Sequence, residues 1–167
     1  MIDFDASFER LLGHEGGLVD DPNDPGGLTN WGISQRSYPN VDIRNLTEAG
    51  AKEIYKRDFW DAARLEDMAD AVSFQLFDFA VNSGISTAIR KLQQAIRVAD
   101  DGHFGAISWE AMRAMSESDV LFRLNAARLR YMTKLKNWSF DGGKGAGKGW
   151  ANRIADNLDY AAADTDE

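Results

Sequence analysis

Apolar residues recur at helical spacing at the start of the chain. One face of the predicted helix carries Phe4, Phe8, Leu11 and Leu12. Glu15 continues the same face, three and four residues after the last two of these. Gly16 and Gly17 follow at once, and paired glycines are common helix stops. The pattern therefore predicts an amphipathic helix with a glutamate in its last turn, on the apolar side.

Helices also dominate the pattern in the middle of the chain. Thr47 is a suitable N-cap for a helix that ends near Trp60. Residues 71–81 are apolar on almost every side, which is typical of a central, buried helix. Gly84 is expected to end that helix.

The second half is also predicted to be helical. Its next three helices are expected to begin at serine caps, Ser86, Ser108 and Ser118. A glycine-rich loop, residues 142–149, should precede a last amphipathic helix through Trp150. The acidic residues 164–167 are expected to fray.

Turn-forming residues separate the first two helices. Residues 20–27 include Asp21-Pro22, Asp24-Pro25 and Gly26-Gly27. Residues 28–34 are too short and too glycine-interrupted for a helix, and they fit a small hairpin. The sequence therefore predicts a mainly α fold with one small β-hairpin.

Composition narrows the class of protein. The 167 residues, 44% hydrophobic and 28% charged, suit one compact domain or two small packed lobes. A formal net charge of −8 argues against nucleic acid as the main partner, because phosphate binding needs clustered lysines and arginines. The sequence has no cysteine, and its acidic first residues and lack of a long apolar run lead us to expect neither a Sec-type signal nor a membrane span. We expect a protein that is made in the cytoplasm and reaches any outside target by another release route.

Glu15 is the first candidate for chemistry. A carboxylate on an apolar helix face loses solvation, and the negative end of the helix dipole disfavours its charge further. Both effects raise the pKa, and a protonated glutamate can act as a general acid. A boundary glutamate with its carboxylate in solvent fits the spacing equally well.

A second group of polar residues follows Glu15 in the predicted hairpin. Asp24 and either Thr29 or Asn30 lie at distances along the chain that allow a hairpin to fold them back across a cleft. Cleavage of a glycosidic bond needs an acid on one side, and a carboxylate or a water-positioning hydroxyl on the other. The alternative for Asp24 is a turn-forming aspartate with no role in chemistry.

Two further motifs are rejected as sites. Residues 14–18 begin like a zinc-protease motif, but Leu18 replaces the second histidine, and the chain has only two histidines. Residues 142–148 match a phosphate-binding loop through the lysine, but Gly149 stands where a hydroxyl is needed. We expect neither a metal nor a cofactor.

The motifs occur in an order that resembles a known family. Residues 14–84 carry, in order, HEGG, DPNDPGGLTNWGIS, EIYKRDFW and FDFAVNSG. This order resembles the muramidases of glycoside hydrolase family 108, found in phage endolysins and bacterial lysis cassettes. The later segments are similar to the predicted peptidoglycan-binding region of that family: LQQAIRVADDGHFGAISWEAM, RLRYM and GWANRI. The resemblance implies a catalytic lobe over residues 1–86 and a helical, peptidoglycan-binding-like lobe over residues 87–167, packed closely on the first.

The resemblance also implies an activity. It implies hydrolysis of the β-1,4 bond between N-acetylmuramic acid and N-acetylglucosamine, with Glu15 as general acid. The chain is more distantly similar to the phage lysozymes of family 24, which implies a lysozyme-like fold with the hairpin beside the active-site cleft. There Glu15 and Asp24 match the glutamate and the aspartate, whereas the threonine position falls on Asn30, next to Thr29. The alternatives are a lytic transglycosylase and a non-catalytic cell-wall-binding protein.

Aromatic residues complete the candidate site. Trp31 and Trp60 could stack on sugar faces, with Asn30 beside Trp31, although large aromatics at helical spacing more often pack in a core. The implied partner is the glycan strand of peptidoglycan. We expect a monomer that acts on the cell wall after release, for which a holin is one route.

Overall fold

The structure, a computed structural model, describes residues 3–13, 17–20, 27–138 and 146–165. Within these ranges the chain forms seven α-helices and one antiparallel two-stranded sheet. The helices are α1 (Phe4–Leu12), α2 (Glu48–Tyr55), α3 (Asp70–Ser83), α4 (Ile85–Ala95), α5 (Ala106–Arg113), α6 (Glu117–Met132) and α7 (Gly147–Thr165). The strands are β1 (Thr29–Asn30) and β2 (Ile33–Ser34). A π-helical segment, Lys56–Asp61, continues α2, and 3₁₀ turns occupy Leu65–Asp67 and Lys136–Trp138. The predicted mainly α fold with one small hairpin is confirmed.

Helix α3 lies at the centre of the molecule. Residues 71–80 are all buried, and α1, α4, α6 and α7 pack around the helix. Burial on every side is what an apolar residue at nearly every position predicts. Gly84 ends the helix with a φ of 86°, a conformation that glycine adopts with little strain.

An aromatic cluster joins α1 and α2 to α3. Phe77 of α3 packs edge-on against Trp60, Phe4 and Tyr55, with ring centroids 5.5, 6.0 and 6.2 Å away. Phe8 adds a further contact, 5.8 Å from Tyr55. Edge-to-face contacts restrict the relative orientation of the rings, so the cluster holds α1 and α2 in place against α3.

The predicted N-caps are correct at Thr47 and wrong in the second half. The Thr47 hydroxyl accepts a backbone hydrogen bond at 3.1 Å, as a cap should. Three predicted caps, Ser86, Ser108 and Ser118, lie inside helices instead. Helices α4 and α5 begin after Gly84 and Gly105, and α6 begins after Ser116, whose hydroxyl accepts a backbone hydrogen bond at 3.2 Å. The error has a physical cause, because a cap needs non-helical backbone dihedrals that a serine does not impose.

The C-terminal helix differs from the prediction at both ends. Helix α7 begins at Gly147, inside the predicted loop, and residues 139–145 lie outside the described residues. Asp164 belongs to the helix and does not fray. Its carboxylate is 5% exposed and accepts hydrogen bonds from both Arg10 terminal nitrogens, at 2.7 and 2.9 Å. The last turn of α7 is therefore fixed to α1 by a bidentate ion pair.

Candidate active site

The small sheet has a third segment beside it. Thr29 and Asn30 pair with Ser34 and Ile33 in the antiparallel hairpin. On the other side, Val19 and Thr29 exchange two backbone hydrogen bonds, at 2.8 and 2.9 Å. The chain that follows the first helix is therefore bonded directly to the strand that carries Thr29.

A tight turn closes the hairpin. Its central residues, Trp31 and Gly32, have φ values of 53° and 74°, and positive φ at both positions is what a type I′ turn requires. A tryptophan rarely adopts this conformation, so the surroundings must hold it. The Trp31 indole N–H donates to the Leu46 carbonyl at 3.0 Å, and the Tyr55 hydroxyl donates to the Trp31 carbonyl at 3.0 Å. These bonds fix the turn against α2 and the loop before it.

Thr29 and Asn30 have different surroundings. Adjacent residues of a strand point to opposite faces. Here Thr29 is half-buried, whereas Asn30 is only 7% exposed. The Thr29 hydroxyl donates to the Gly27 carbonyl at 3.2 Å and keeps its lone pairs for another donor. The Asn30 amide nitrogen donates to the carbonyls of Ile43 and Leu46, both at 3.1 Å. Thr29 is thus the more available of the two, whereas Asn30 anchors the 43–46 loop.

The two tryptophans of the predicted site also differ. Trp31 is half-buried in the turn, and its indole N–H is already bonded. Trp60 is 2% exposed, with Phe4 and Phe77 packed against its ring. Trp60 therefore packs in the core, and its assignment to substrate binding stays a prediction that its burial does not support.

The two predicted carboxylates, Glu15 and Asp24, lie outside the described residues. Their described neighbours include Leu18 and Val19, which are 50% and 43% exposed. Asp20 is bound to Arg44 by an exposed ion pair at 2.5 Å. The roles of Glu15 and Asp24 stay predictions.

A cleft of about 380 Å³ lies beside the hairpin. The hairpin, the chain after it, α2 with its π-helical continuation, and the end of α3 all contribute to it. Its lining mixes hydroxyls, one carboxylate and apolar or aromatic surface: Gly32, Ile33, Ser34, Ser37, Tyr38, Tyr55, Asp58, Phe59 and Val81. Such a mixture suits a sugar, which presents hydroxyls at its rim and C–H groups on its faces.

Asp58 and Tyr38 form the polar pair of this cleft. The Tyr38 hydroxyl donates to an Asp58 carboxylate oxygen at 2.9 Å, and Arg57 binds the same carboxylate at 2.5 and 2.7 Å. The Arg57 hydrogen bonds hold the pKa of Asp58 below its usual value, against a smaller opposing effect of burial. The pKa of Tyr38 is raised to about 12, mainly because the hydroxyl is partly buried. The hydrogen bond to Asp58 and the negative charge of Asp58 raise it further. Asp58 is thus an ionised acceptor at neutral pH, and Tyr38 keeps its proton.

This pair was not predicted from the sequence. Asp58 lies in the π-helical segment that continues α2, within the EIYKRDFW motif. π-Helical turns occur mostly as short insertions and often at functional sites. Asp58 lies at the cleft, whereas Trp60, two residues later, lies on the opposite side in the core.

A second polar cluster lies in the core, away from the cleft. Asp78 of α3 is fully buried, and its carboxylate accepts hydrogen bonds from Arg128, Arg153 and Asn157 at 2.6, 2.8 and 2.6 Å. Desolvation opposes the charge of Asp78, but the attraction of the two arginines outweighs it and lowers the pKa. The cluster joins α3 to α6 and α7, so its role is to hold helices together.

Two general features complete the description. Among the described residues, no helix is both long and apolar enough to cross a membrane. The same residues contain no group of three or more histidines, aspartates and glutamates that could hold a metal ion.

Comparison with known proteins identifies the family. The family model described as Glycosyl hydrolase 108 matches residues 8–84, which include the hairpin, Asp58 and helix α3. The solved structure titled "Structure of Brucella abortus SagA" is similar over 98% of this chain and 96% of its own, with 30% identity and a TM-score of 0.88. No curated protein shows significant similarity. The family suggests a peptidoglycan hydrolase, and thus a glycan substrate. The chain belongs to the glycosyl hydrolase 108 family and is a glycoside hydrolase.

Proposed function

We propose that this protein is an N-acetylmuramidase, which cleaves the β-1,4 bond between N-acetylmuramic acid and N-acetylglucosamine. The family match and the order of the sequence motifs support the substrate class. One structural observation carries the proposal further. Val19, four residues after Glu15, pairs with Thr29. The segment that follows Glu15, the proposed acid, is therefore hydrogen-bonded to the strand that carries the Thr29 hydroxyl.

The proposed mechanism divides the work among three side chains. Glu15 protonates the leaving glycosidic oxygen as general acid. Asp24 stabilises the positive charge that develops on the sugar, or activates a water molecule. Thr29 positions that water through its hydroxyl. Asn30 and Trp31 keep the hairpin in place and contribute to substrate binding.

The cleft beside the hairpin provides further sugar contacts. Asp58, kept ionised by Arg57, accepts hydrogen bonds from sugar hydroxyls or from an acetamido N–H. Phe59 and Val81 offer apolar surface to the C–H groups of a pyranose. The peptidoglycan strand would therefore run along the cleft, with Asp58 as an anchor. The protein would act on the wall as a monomer after release, for example by a holin.

The acid role is tested with Glu15→Gln, and with Glu9→Gln as the matched control on α1, where Glu9 is exposed. We expect Glu15→Gln to lower the release of soluble fragments from purified peptidoglycan by at least about 10²-fold, the contribution of a general acid. Glu9→Gln should keep full activity. Undiminished release by Glu15→Gln, with folding intact by circular dichroism, would refute the assignment.

Two further variants test the other roles. Asp24→Asn should reduce the rate strongly, whereas Asp20→Asn, which loses only an exposed ion pair, should not. Product mass separates the alternative chemistry. A hydrated reducing end means hydrolysis, and an anhydro-muramyl end would make the protein a lytic transglycosylase instead.

A further inference from the structure

A groove with an unusual charge lies between α4 and α6. It has a volume of about 510 Å³, and its lining includes five cationic side chains, Lys91, Arg97, Arg123, Arg130 and Lys134. No carboxylate lines it. The chain as a whole carries a net charge of −8, so this concentration of positive charge opposes the overall balance. A local field of one sign attracts a ligand of the other sign.

The cations of the groove are largely uncompensated. Arg123 lies 4.0 Å from Asp119, and Lys91 donates to the Gln94 side chain. Among the residues that the structure describes, Arg97, Arg130 and Lys134 make no ion pair, and all three are exposed. Asp100 is a further carboxylate, which interacts with the charge of Lys91 and accepts a hydrogen bond from Gln94. Even with Asp119 and Asp100 included, three positive charges remain unmatched.

One of these cations occupies a position that usually belongs to glycine. Arg97 follows the C-cap of α4 with a φ of 63°, a left-handed conformation that costs a non-glycine residue free energy. Glycine would relieve that strain. The chain nevertheless has an arginine at this position, and its side chain lines the groove.

The shape of the groove selects the ligand. Three alanines, Ala95, Ala126 and Ala127, are among the lining residues, so the space between the cations admits a narrow chain. Phe122, 68% exposed, adds apolar surface. The five cations lie on α4, on α6 and just after each of these helices, so an extended peptide with spaced carboxylates matches them. Arginine side chains bind carboxylates with two parallel hydrogen bonds.

We propose that this groove binds the carboxylate-bearing stem peptides of peptidoglycan and so holds the enzyme on its substrate. The inference rests on the proposed function for the identity of the polymer. It gives the second half of the chain a specific contact with the wall, through charge on the peptide rather than through the sugar.

The test measures sedimentation of the full-length protein with ice-cold sacculi free of teichoic acid. The double variant Arg97→Glu/Arg130→Glu is compared with Lys136→Glu/Lys148→Glu, which changes the charge equally at exposed lysines outside the groove. We expect the groove variant to bind at least about tenfold more weakly, and the control to bind like the wild type. Sacculi whose carboxylates have been capped as amides should bind wild type and groove variant equally weakly. Added salt should weaken wild-type binding.

Arg97→Gly separates binding from folding. It should weaken binding to sacculi, while its melting temperature stays equal to or rises above that of the wild type, because the backbone strain is relieved. A residue that serves only the fold would move both quantities down.

Three results would overturn the inference. The first is that the groove variant binds sacculi as tightly as the wild type. The second is that the groove substitutions weaken binding to capped and to uncapped sacculi by the same factor. The third is that they weaken binding only to vesicles of phosphatidylcholine and phosphatidylglycerol, which would indicate a lipid ligand. Failure of the muramidase proposal is a separate result, since it is read from product release and not from sedimentation.

Discussion

The buried Asp78 cluster makes a strong prediction about stability. Replacing Asp78 with asparagine keeps the volume but removes the negative charge that pairs with Arg128 and Arg153 in the core. Both Asp78 oxygens accept hydrogen bonds from N–H groups, so either orientation of the new amide would aim its own N–H at a donor. The substitution would therefore lose a charge pair and a hydrogen bond together.

The expected magnitude follows from burial. Arg128 is 1% exposed, and breaking a buried pair by removing one partner costs about 3–5 kcal/mol of the free energy of unfolding. For a chain of this length that corresponds to a melting temperature lower by roughly 6–20 °C. The matched control is Asp5→Asn, because Asp5 is 71% exposed and pairs with Lys52 at 3.1 Å. An exposed pair contributes about 0–1 kcal/mol.

Urea unfolding at neutral pH and at acid pH provides the assay. The pKa of Asp78 is lower in the folded state than its ordinary value of 3.8, so its contribution is present above that pH and is lost as the pH falls through the folded pKa. The difference between wild type and Asp78→Asn should therefore shrink in acid. A loss below about 1 kcal/mol at neutral pH, or a loss equal to that of Asp5→Asn, would refute the reasoning.

Three further predictions concern single side chains. Tyr38 should titrate near pH 12 by absorbance, so Tyr38→Phe should remove one tyrosine from the component that titrates there. The raised pKa also means that stability falls between pH 10 and 12. A difference between wild type and Tyr38→Phe that titrates below about pH 11 would contradict the bond to Asp58. In chemical denaturation, Ser116→Ala should lower the free energy of unfolding by about 1 kcal/mol because the N-cap is lost, whereas Ser118→Ala should be close to neutral. The opposite order would mean that Ser118 is the cap, as the sequence predicted. Gly84→Ala should destabilise by about 1–3 kcal/mol through the backbone alone, because a φ of 86° with a ψ of 145° is essentially restricted to glycine and no atom lies within 4 Å of the added methyl group. An unchanged melting temperature would show that the turn relaxes.

The sequence predicted those parts of the fold that depend on short-range patterns. Residues 71–81 are apolar on almost every side, and the structure buries residues 71–80 in α3. The glycine-interrupted run 28–34 gave the hairpin. In both cases the information lies within a few neighbouring residues, and burial or turn chemistry follows directly from it.

Contacts between distant segments could not be predicted in this way. The partners of Asp78 lie 50, 75 and 79 residues away, and nothing in the local pattern selects them. An aspartate in an otherwise apolar helix was the available signal, since a buried carboxylate needs a partner. Asp58 and Tyr38 are similar, because Asp58 accepts its hydrogen bond from a tyrosine 20 residues earlier. Within the candidate site, the sequence named Thr29 and Asn30 together, and only the hairpin geometry distinguishes their surroundings.

The ion pair between Arg10 and Asp164 has a consequence for how the protein is made. Arg10 leaves the ribosome early, but its partner follows 154 residues later. At about 5–20 residues per second, the first helix waits roughly 8–30 s for that contact. Until then α1 lacks both its bidentate partner and the packing of α7. Vectorial synthesis therefore leaves the helix that leads towards Glu15 incompletely anchored until α7 has been translated.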